Sequence, residues 1–284
     1  MNRNRFFKNR IYSWHMNLLI GLLMTFFILT SNIIASTNVY FFVPEANIRN
    51  YALLKNTFAE YLTKFGKYNV QPVSDEKIFE KFVKEDPDGV FIVSSWLFKK
   101  LAPANNLAAK LTMIVNSSNT TKEILLTKQV NDLAMILKGG TVSSSRGKVY
   151  VRDLLKTLLP EEDPTKVKLI TVPRDMDALM SVGFGMANAC ITSEDSFDKL
   201  AGINPYQHKE LKQLATSQEM LRPVVAINAI STEDPSNFLH ILKEISDDPA
   251  SKLLLQIVGV DGFAPVSEDE IGYVKKRKGM GKTE

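Results

Sequence analysis

The segment 137–193 constrains the fold more than any other part of this chain, because it alternates short apolar strands with helix-forming stretches. Its first strand breaks into the run Ser143-Ser144-Ser145-Arg146-Gly147 just before helical spacing begins at Lys148. A second strand, helix and strand follow over 167–172, 177–184 and 187–192. This alternation predicts consecutive βα units built on a parallel sheet.

The serine turn, defined as Ser143 to Gly147, predicts a site for an anionic ligand. Backbone N–H groups at the start of a helix have no partner within the helix, and the helix dipole favours negative charge there. Ser143, Ser144 and Ser145 add hydroxyl donors, and Arg146 could pair with an anion. The alternatives are an ordinary helix cap, which needs only one serine, and a solvated arginine. Three consecutive serines leave this choice open.

Residues 1–35 have the organisation of a signal peptide. A basic start is followed by the apolar run Leu18 to Leu29 and then by a short polar exit ending at Ala35. We expect cleavage at or within two residues of Ala35 and a periplasmic protein. The alternative is an uncleaved membrane anchor, which needs about 18 or more apolar residues. The basic residues of the start are Arg3, Arg5, Lys8 and Arg10.

Charge argues against nucleic acid as a partner. The net charge of the whole chain is +4, and the four basic residues of the leader account for all of it. A mature protein near neutrality lacks the electrostatic attraction that nucleic-acid binding needs. A basic cluster remains at Lys275 to Lys278, within the C-terminal tail 273–284, and we interpret it as a solvated chain end rather than a binding patch.

The reactive residue types give no indication of catalysis. Cys190 is the one cysteine and lies in an apolar strand, which indicates a buried, inert thiol rather than a nucleophile. The three histidines are far apart in the sequence, and no CxxC, HExxH, GxSxG or GxxxxGK[ST] pattern occurs. We therefore expect no enzyme activity, no metal and no cofactor.

The chain beyond the leader is too long for one small domain and suits two lobes. Strands and helices alternate throughout, which predicts an α/β protein whose lobes are doubly wound sheets with flanking helices. We expect residues 36–117 and 219–272 to form the first lobe and residues 118–218 to form the second. The chain would cross between the lobes twice, which allows hinge closure around a ligand.

Further candidate site residues follow other predicted strands, because ligands of such sheets lie beyond the carboxyl ends of the strands. Serine and threonine at these positions serve either as ligand donors or as helix caps. Aromatic residues there form either a pocket wall or core packing. The candidates are Glu45, Tyr51, Ser94, Ser95, Trp96, Thr192 and Ser193.

Several other stretches of the sequence occur together with the serine turn in a characteristic order and spacing. They are 137–142 before the turn, Asp177-Ala178-Leu179 with 185–189, Ser217 with Pro223, and 248–249 with 259–263. With these stretches the chain resembles the phosphate-, phosphite- and phosphonate-type substrate-binding proteins of ABC importers, a branch of the type II periplasmic binding proteins. The resemblance implies a two-lobed fold, an anion site at the serine turn and an inner-membrane ABC permease as the partner.

Three departures from the family pattern affect the expected ligand. The serine turn is shorter than usual, Met176 stands where a histidine often precedes the Asp-Ala pair, and Asn188 stands where an aspartate is usual. Asn188 removes a negative charge suited to an amine, which weighs against an aminophosphonate.

The leading hypothesis is a monomeric periplasmic receptor that captures a small anionic ligand, such as phosphate, phosphite or an organophosphonate, and delivers it to the permease. The alternative keeps the fold but binds a larger apolar ligand, such as a lipid or sterol, because Met176 and Asn188 make the cleft less charged. A receptor that reports its ligand to a membrane sensor is the other alternative.

Overall fold

A computed structural model describes residues 36–266 apart from 129–135, 137, 161–162 and 233. The described residues from Thr37 to Val266 belong to one compact unit. The predicted leader and the basic C-terminal tail lie outside the described residues. Within the described part of the chain, no helix combines the length and the apolar character needed to cross a membrane.

Strands and helices alternate along nearly the whole described chain. The strands are β1 (Thr37–Phe42), β2 (Tyr68–Pro72), β3 (Val90–Val93), β4 (Leu107–Ile114), β5 (Thr120–Thr121), β6 (Glu123–Thr127), β7 (Thr141–Ser144), β8 (Lys168–Thr171), β9 (Ala189–Ser193), β10 (Lys212–Thr216), β11 (Met220–Leu221), β12 (Val224–Asn228) and β13 (Gly262–Pro265). The helices are α1 (Tyr51–Thr63), α2 (Glu76–Glu85), α3 (Ser95–Asn105), α4 (Lys148–Leu158), α5 (Asp175–Gly183), α6 (Glu194–Ile203), α7 (Pro205–Glu210), α8 (Ser236–Lys243) and α9 (Lys252–Val258). Short 3₁₀ turns cover Pro44–Ala46, Pro164–Lys166, Ile245–Asp247 and Pro249–Ser251.

The first sheet has six strands in the order β13-β4-β12-β3-β1-β2. β1 runs parallel to β2 and β3, whereas β12 runs antiparallel to β3 and β4. Successive residues of β1 face opposite sides of the sheet. Phe41 packs with α1, α8 and α9 on one face, and Phe42 packs with α2 and α3 on the other. Helices therefore cover both faces, as in a doubly wound sheet.

The second sheet has five strands in the order β10-β6-β9-β7-β8. β7 runs parallel to β8 and β9, and β6 runs antiparallel to β9 and β10. One face packs against α5 and α6 through residues such as Leu179 and Leu200, and the other packs against α4 through Val151 and Leu155.

Two short strands connect the sheets. β5 lies between β4 of the six-stranded sheet and β6 of the five-stranded sheet, and β11 lies between β10 and β12 on the way back. β5 and β11 pair with each other in antiparallel orientation. Two connections that lie side by side allow hinge bending between the sheets. The lobe bounds at 36–117 with 219–272 and at 118–218 stay a prediction.

The local chemistry explains where several helices begin. Asn50, Asp75, Ser193 and Asn204 each accept a hydrogen bond from a backbone N–H in the first turn of the helix that follows. Such side chains satisfy donors that the helix itself leaves unpaired.

The local sequence predicts one helix over 207–214. This prediction is wrong in its second half, because α7 ends at Glu210 and the chain continues as β10. The sequence of β10 is rich in residues that also favour helices, but its backbone pairs with the edge of β6. Tertiary pairing overrides a weak local preference here. The local sequence pattern does not predict the helix α6 or the strand β13.

Candidate functional site

The hydroxyl of Ser143 is buried inside the second sheet. Its Oγ donates to the carbonyl oxygen of Ala178 at 3.1 Å and accepts from Ser181 Oγ at 2.6 Å. Both partners belong to α5. Ser143 therefore fixes α5 on β7, and Ser144 next to it is also buried.

Arg146 is held by two carboxylates of its own chain. Its guanidinium, only 1 % exposed, donates to Glu123 Oε1 from Nε at 3.1 Å and from Nη2 at 2.9 Å. Its Nη1 pairs with Asp175, and Ser145 Oγ donates to the same carboxylate at 2.5 Å. The charge of Arg146 is thus neutralised within the protein.

The other oxygen of Asp175 collects donors from the end of β9. Its Oδ2 accepts from the backbone N–H and from the hydroxyl of Ser193, both at 2.9 Å. Asp175 therefore accepts hydrogen bonds from donors that the sequence suggested for an external anion. The carboxylate of Asp175 thereby connects the ends of β7 and β9 through hydrogen bonds.

Glu123 is a buried member of this cluster whose charged form is destabilised by desolvation. Burial raises the pKa of its carboxyl, although the neighbouring charge of Arg146 lowers it and the charge of Glu45 raises it further. Its Oε2 has no hydrogen-bond partner among the described residues. Glu45 comes from the first sheet, and its Oε2 accepts from Ser94 Oγ at 2.6 Å.

Asn47 bridges the two sheets. It follows the 3₁₀ turn after β1 in the left-handed region, with φ of 59°, which asparagine tolerates better than most residues. Its Nδ2 donates to Ser196 Oγ at 2.9 Å, and its Oδ1 accepts from the backbone N–H of Met176 at 2.7 Å. A residue of the six-stranded sheet thus caps α5 of the other sheet.

A second set of contacts lies at the connecting strands. Arg222, directly after β11, donates to Asp195 Oδ1 at 3.0 Å, and Thr121 Oγ1 of β5 donates to Asp195 Oδ2 at 2.9 Å. Asp195 lies in the first turn of α6. These bonds tie both connections to the five-stranded sheet.

A cavity of about 1560 Å³ lies between the two sheets. On the side of the six-stranded sheet the cavity is lined by Ser95 and Trp96 of α3. On the side of the five-stranded sheet it is lined by Lys148 and Tyr150 of α4. The ring centroids of Trp96 and Tyr150 are 5.5 Å apart. Met220 of the connecting strand β11 forms another wall, and its Sδ accepts from Tyr150 Oη at 3.7 Å.

The first turns of α3 and α4 carry donors that their own preceding residues leave uncapped. The Ser94 hydroxyl turns to Glu45 instead, and Gly147 has no side chain. Trp96 is 3 % exposed, and its Nε1 has no hydrogen-bond partner among the residues described. Such a cavity suits a ligand group that accepts hydrogen bonds or carries negative charge.

An acidic side chain already lies at the start of α4. A Cβ atom on Gly147 would be 2.7 Å from Oε2 of Glu76, which is the first residue of α2. Lys100 Nζ lies 2.8 Å from Glu76 Oε1 and 2.6 Å from Glu80 Oε1. All of these residues line the cavity.

The structure brings only some of the candidate site residues to the cavity. Ser145, Ser95 and Trp96 line it. A narrow gap of about 40 Å³ beside it is lined by Glu45, Ser95, Arg146 and Ser193. The site assignment as a whole stays a prediction.

The remaining candidates lie in packed or structural positions. Met176 packs in the core of the second sheet, and Thr192 is fully buried. Asn188 Oδ1 accepts from the backbone N–H of Thr141 at 2.8 Å, so this side chain has a structural contact. Tyr51 begins α1, and burial raises the pKa of its phenol. Cys190 is fully buried, which raises the pKa of its thiol and confirms the prediction of a buried cysteine.

Sequence reasoning missed Glu76, Lys100, Tyr150 and Met220. Glu76 follows the carboxyl end of β2, and Tyr150 lies in the first turn of the helix after the serine turn, so both had a positional signal. Lys100 and Met220 reach the cavity through tertiary packing alone.

No protein-family model and no curated protein matches the sequence. Among solved structures, the binding-protein component of an ABC phosphonate transporter from Pseudomonas aeruginosa is similar, with a TM-score of 0.67 and 10 % identity over 86 % of this chain and 85 % of that chain. PhnD1 from Prochlorococcus marinus, solved with methylphosphonate, has a TM-score of 0.66 and 10 % identity over 86 % of this chain and 98 % of that chain. XAC2383 from Xanthomonas citri, bound to ATP, has a TM-score of 0.64 and 13 % identity over 85 % of this chain and 95 % of that chain.

At these identities the likeness establishes the fold alone. The chain has the α/β fold of the type II periplasmic binding proteins, with sheets flanked by helices, and the predicted fold class is confirmed.

Proposed function

We propose that this protein is the exported receptor of an ABC importer, that it captures a small organic anion of the phosphonate or phosphate class, and that it delivers this ligand to an inner-membrane permease. The observation that carries the proposal is the convergence of α3 and α4, one from each sheet, on a single cavity. Residues of both first turns line the cavity, and the buried Nε1 of Trp96 in α3 has no hydrogen-bond partner among the described residues.

An anionic group fits this arrangement for electrostatic reasons. The start of a helix carries partial positive charge and free N–H donors, and two such starts from opposite sides surround a bound anion. Lys148 adds a positive side chain to the same cavity. The similar phosphonate-transporter component from Pseudomonas aeruginosa and the similar PhnD1 solved with methylphosphonate support this ligand class.

The organic part of the ligand would pack against the apolar wall. Trp96, Tyr150 and Met220 form a continuous aromatic and thioether surface, since Trp96 contacts Tyr150 and Tyr150 contacts Met220. The pairing of a charged head with an apolar body matches the general design of small-molecule sites.

Export supports the receptor role. The leader 1–35 predicts delivery across the inner membrane, and the protein purified from the periplasm of a Gram-negative host should begin near Ser36. Intact-mass measurement of that fraction tests this expectation, and a full-length mass in the inner membrane would contradict it.

Calorimetry with methylphosphonate, phosphate and phosphite tests the ligand class. Trp96→Phe keeps an aromatic ring but removes the N–H donor, so it should weaken binding about tenfold or more. Thermal melting of the variant verifies that it is folded. Absence of heat with all three anions in the wild-type protein would contradict the proposal.

The cavity volume favours one alternative ligand, a larger apolar molecule such as a lipid or sterol. About 1560 Å³ exceeds the roughly 300–1,000 Å³ typical of drug-sized ligands. Its wall includes Phe42, Leu154 and Leu221. Mass spectrometry of an organic extract of the purified protein decides between the ligands: a stoichiometric lipid favours the alternative.

A further inference from the structure

We propose that the two sheets close on one another with the uptake of a proton, which Glu123 of the second sheet holds while Glu45 of the first sheet lies near it. Acid then favours the compact form of the protein, and base favours the open form. The inference concerns the movement of the sheets rather than the identity of a ligand, so it goes beyond the proposed function.

Glu45 and Glu123 reach the same narrow gap from different sheets. Glu45 lies in the 3₁₀ turn directly after β1 of the six-stranded sheet, and Glu123 is the first residue of β6 in the five-stranded sheet. Both line the gap of about 40 Å³ beside the cavity. A hinge movement that separates the sheets would therefore take one carboxylate away from the other and admit water between them.

More acidic than basic side chains surround this gap. Arg146 pairs both with Glu123 and with Asp175, and Arg222 pairs with Asp195. The charged groups that line the gap or pair with a residue lining it are four carboxylates and three cations: Glu45, Glu123, Asp175 and Asp195 with Arg146, Lys199 and Arg222. Burial lowers the pKa of Lys199, which weakens the positive side further. The charges balance when one carboxyl group is protonated.

Glu123 is the carboxyl group best suited to carry this proton. It is only 2 % exposed, and its Oε2 has no hydrogen-bond partner among the described residues, whereas its Oε1 accepts twice from Arg146. Asp175 and Asp195, in contrast, each accept hydrogen bonds at both oxygens. A buried ionised oxygen without a donor is unfavourable, and protonation removes its charge.

Proton binding and closure are coupled because Glu45 acts on Glu123 across the two sheets. Burial raises the pKa of Glu123, the charge of Arg146 lowers it, and the charges of Glu45 and Asp195 raise it. When the sheets separate, water reaches Glu123 and Glu45 moves away, while Arg146 stays on the same sheet, so the pKa of Glu123 falls. The closed form therefore binds the proton more tightly; it is favoured at low pH and loses this advantage as pH rises through the pKa of the closed form.

Other titratable groups do not account for the same pH dependence. Tyr150 and Cys190 lie near Arg146, but phenols and thiols of this kind are uncharged near neutral pH. His208 and His240 belong to α7 and α8 and do not line the gap. Both histidines are present in every variant of the test below, so their titration is common to all of them.

Small-angle scattering of the unliganded protein at about pH 5 and about pH 8 tests the inference. The radius of gyration of the wild type should be larger at the higher pH. Glu123→Gln imitates the protonated carboxyl and should keep one radius at both pH values. Glu45→Gln leaves Glu123 in place but removes the charge that acts on it, so it should show about half of the wild-type change or less. The control Glu60→Gln changes an exposed glutamate of α1 and should behave as the wild type.

Three results would overturn the inference: a wild-type radius that is the same at both pH values, a radius that is larger at the lower pH, or variants E123Q and E45Q that both follow the wild type. Thermal melting at each pH verifies that the variants are folded, and E45Q alone decides the question if E123Q is unfolded. No ligand enters this measurement. The calorimetry with methylphosphonate, phosphate and phosphite decides the proposed function separately, so the failure of one proposal leaves the other standing.

Discussion

Asn47 Oδ1 accepts a hydrogen bond of 2.7 Å from the backbone N–H of Met176, and this bond joins the two sheets at the start of α5. The residue before α5, Arg174, does not cap the helix with its own side chain within the described structure. Arg174 instead pairs with Asp177. The cap of α5 is therefore available only while the two sheets are close together.

Removal of the Asn47 side chain should loosen this association. Asn47→Gly keeps a residue that tolerates the left-handed backbone, so it removes the cap and the bond to Ser196 without adding strain. We expect a loss of about 1 kcal/mol of stability and a larger radius of gyration in the unliganded protein.

The matched control for this change is Asn106→Gly. Asn106 is also left-handed, with φ of 52°, but it ends α3 and its backbone bonds join α3 to Ala229 beside β12. It should alter stability without altering the radius of gyration. An unchanged radius in N47G, measured by small-angle scattering, would contradict the bridging role.

Ser143 and Ser145 should respond differently to substitution, although they are neighbours in the serine turn. Ser143 bonds into α5, whereas Ser145 lines the cavity and donates to Asp175. Ser143→Ala should lower the unfolding temperature with little effect on binding. Ser145→Ala should weaken methylphosphonate binding several-fold, because it removes a hydrogen bond that stabilises the negative charge of Asp175 next to a cavity-lining position. Calorimetry on both variants checks this, and equal effects on affinity would contradict it.

The buried carboxyl of Glu123 predicts a pH dependence of stability. Burial raises its pKa above 4.5, so the folded protein binds more protons at this site than the unfolded chain. The corresponding stability is present below about pH 4.5 and is lost as pH rises through the folded pKa. Glu123→Gln removes this titration.

Urea denaturation at several pH values checks the sign. The unfolding free energy of the wild type minus that of E123Q should fall as pH rises above about 4.5. The two proteins have the same titrating groups apart from residue 123. The substitution also changes the electrostatic environment of Arg146. A difference that grows with pH would show that Arg146 dominates the titration of Glu123.

The alternation of strands and helices predicted the class of fold and most element positions, because buried strands and amphipathic helices leave a local sequence pattern. The prediction of a helix over 207–214 is wrong because β10 forms through its pairing with β6, and no local sequence pattern indicates that pairing. Arg146 illustrates the same limit at the site. Its sequence context suggests an anion ligand, whereas the anions it meets are Glu123 and Asp175, brought together from separate strands and helices.

Trp96 emission gives the most direct test of the central claim, that an anion binds between α3 and α4. Trp96 is the only tryptophan beyond the predicted leader, since the other is Trp14, so tryptophan emission of a protein that begins near Ser36 comes from this cavity-lining residue alone. Titration with methylphosphonate should change the emission in a saturable way, with the same affinity that calorimetry gives. Calorimetric binding of methylphosphonate that leaves the emission of Trp96 unchanged would contradict this placement of the ligand.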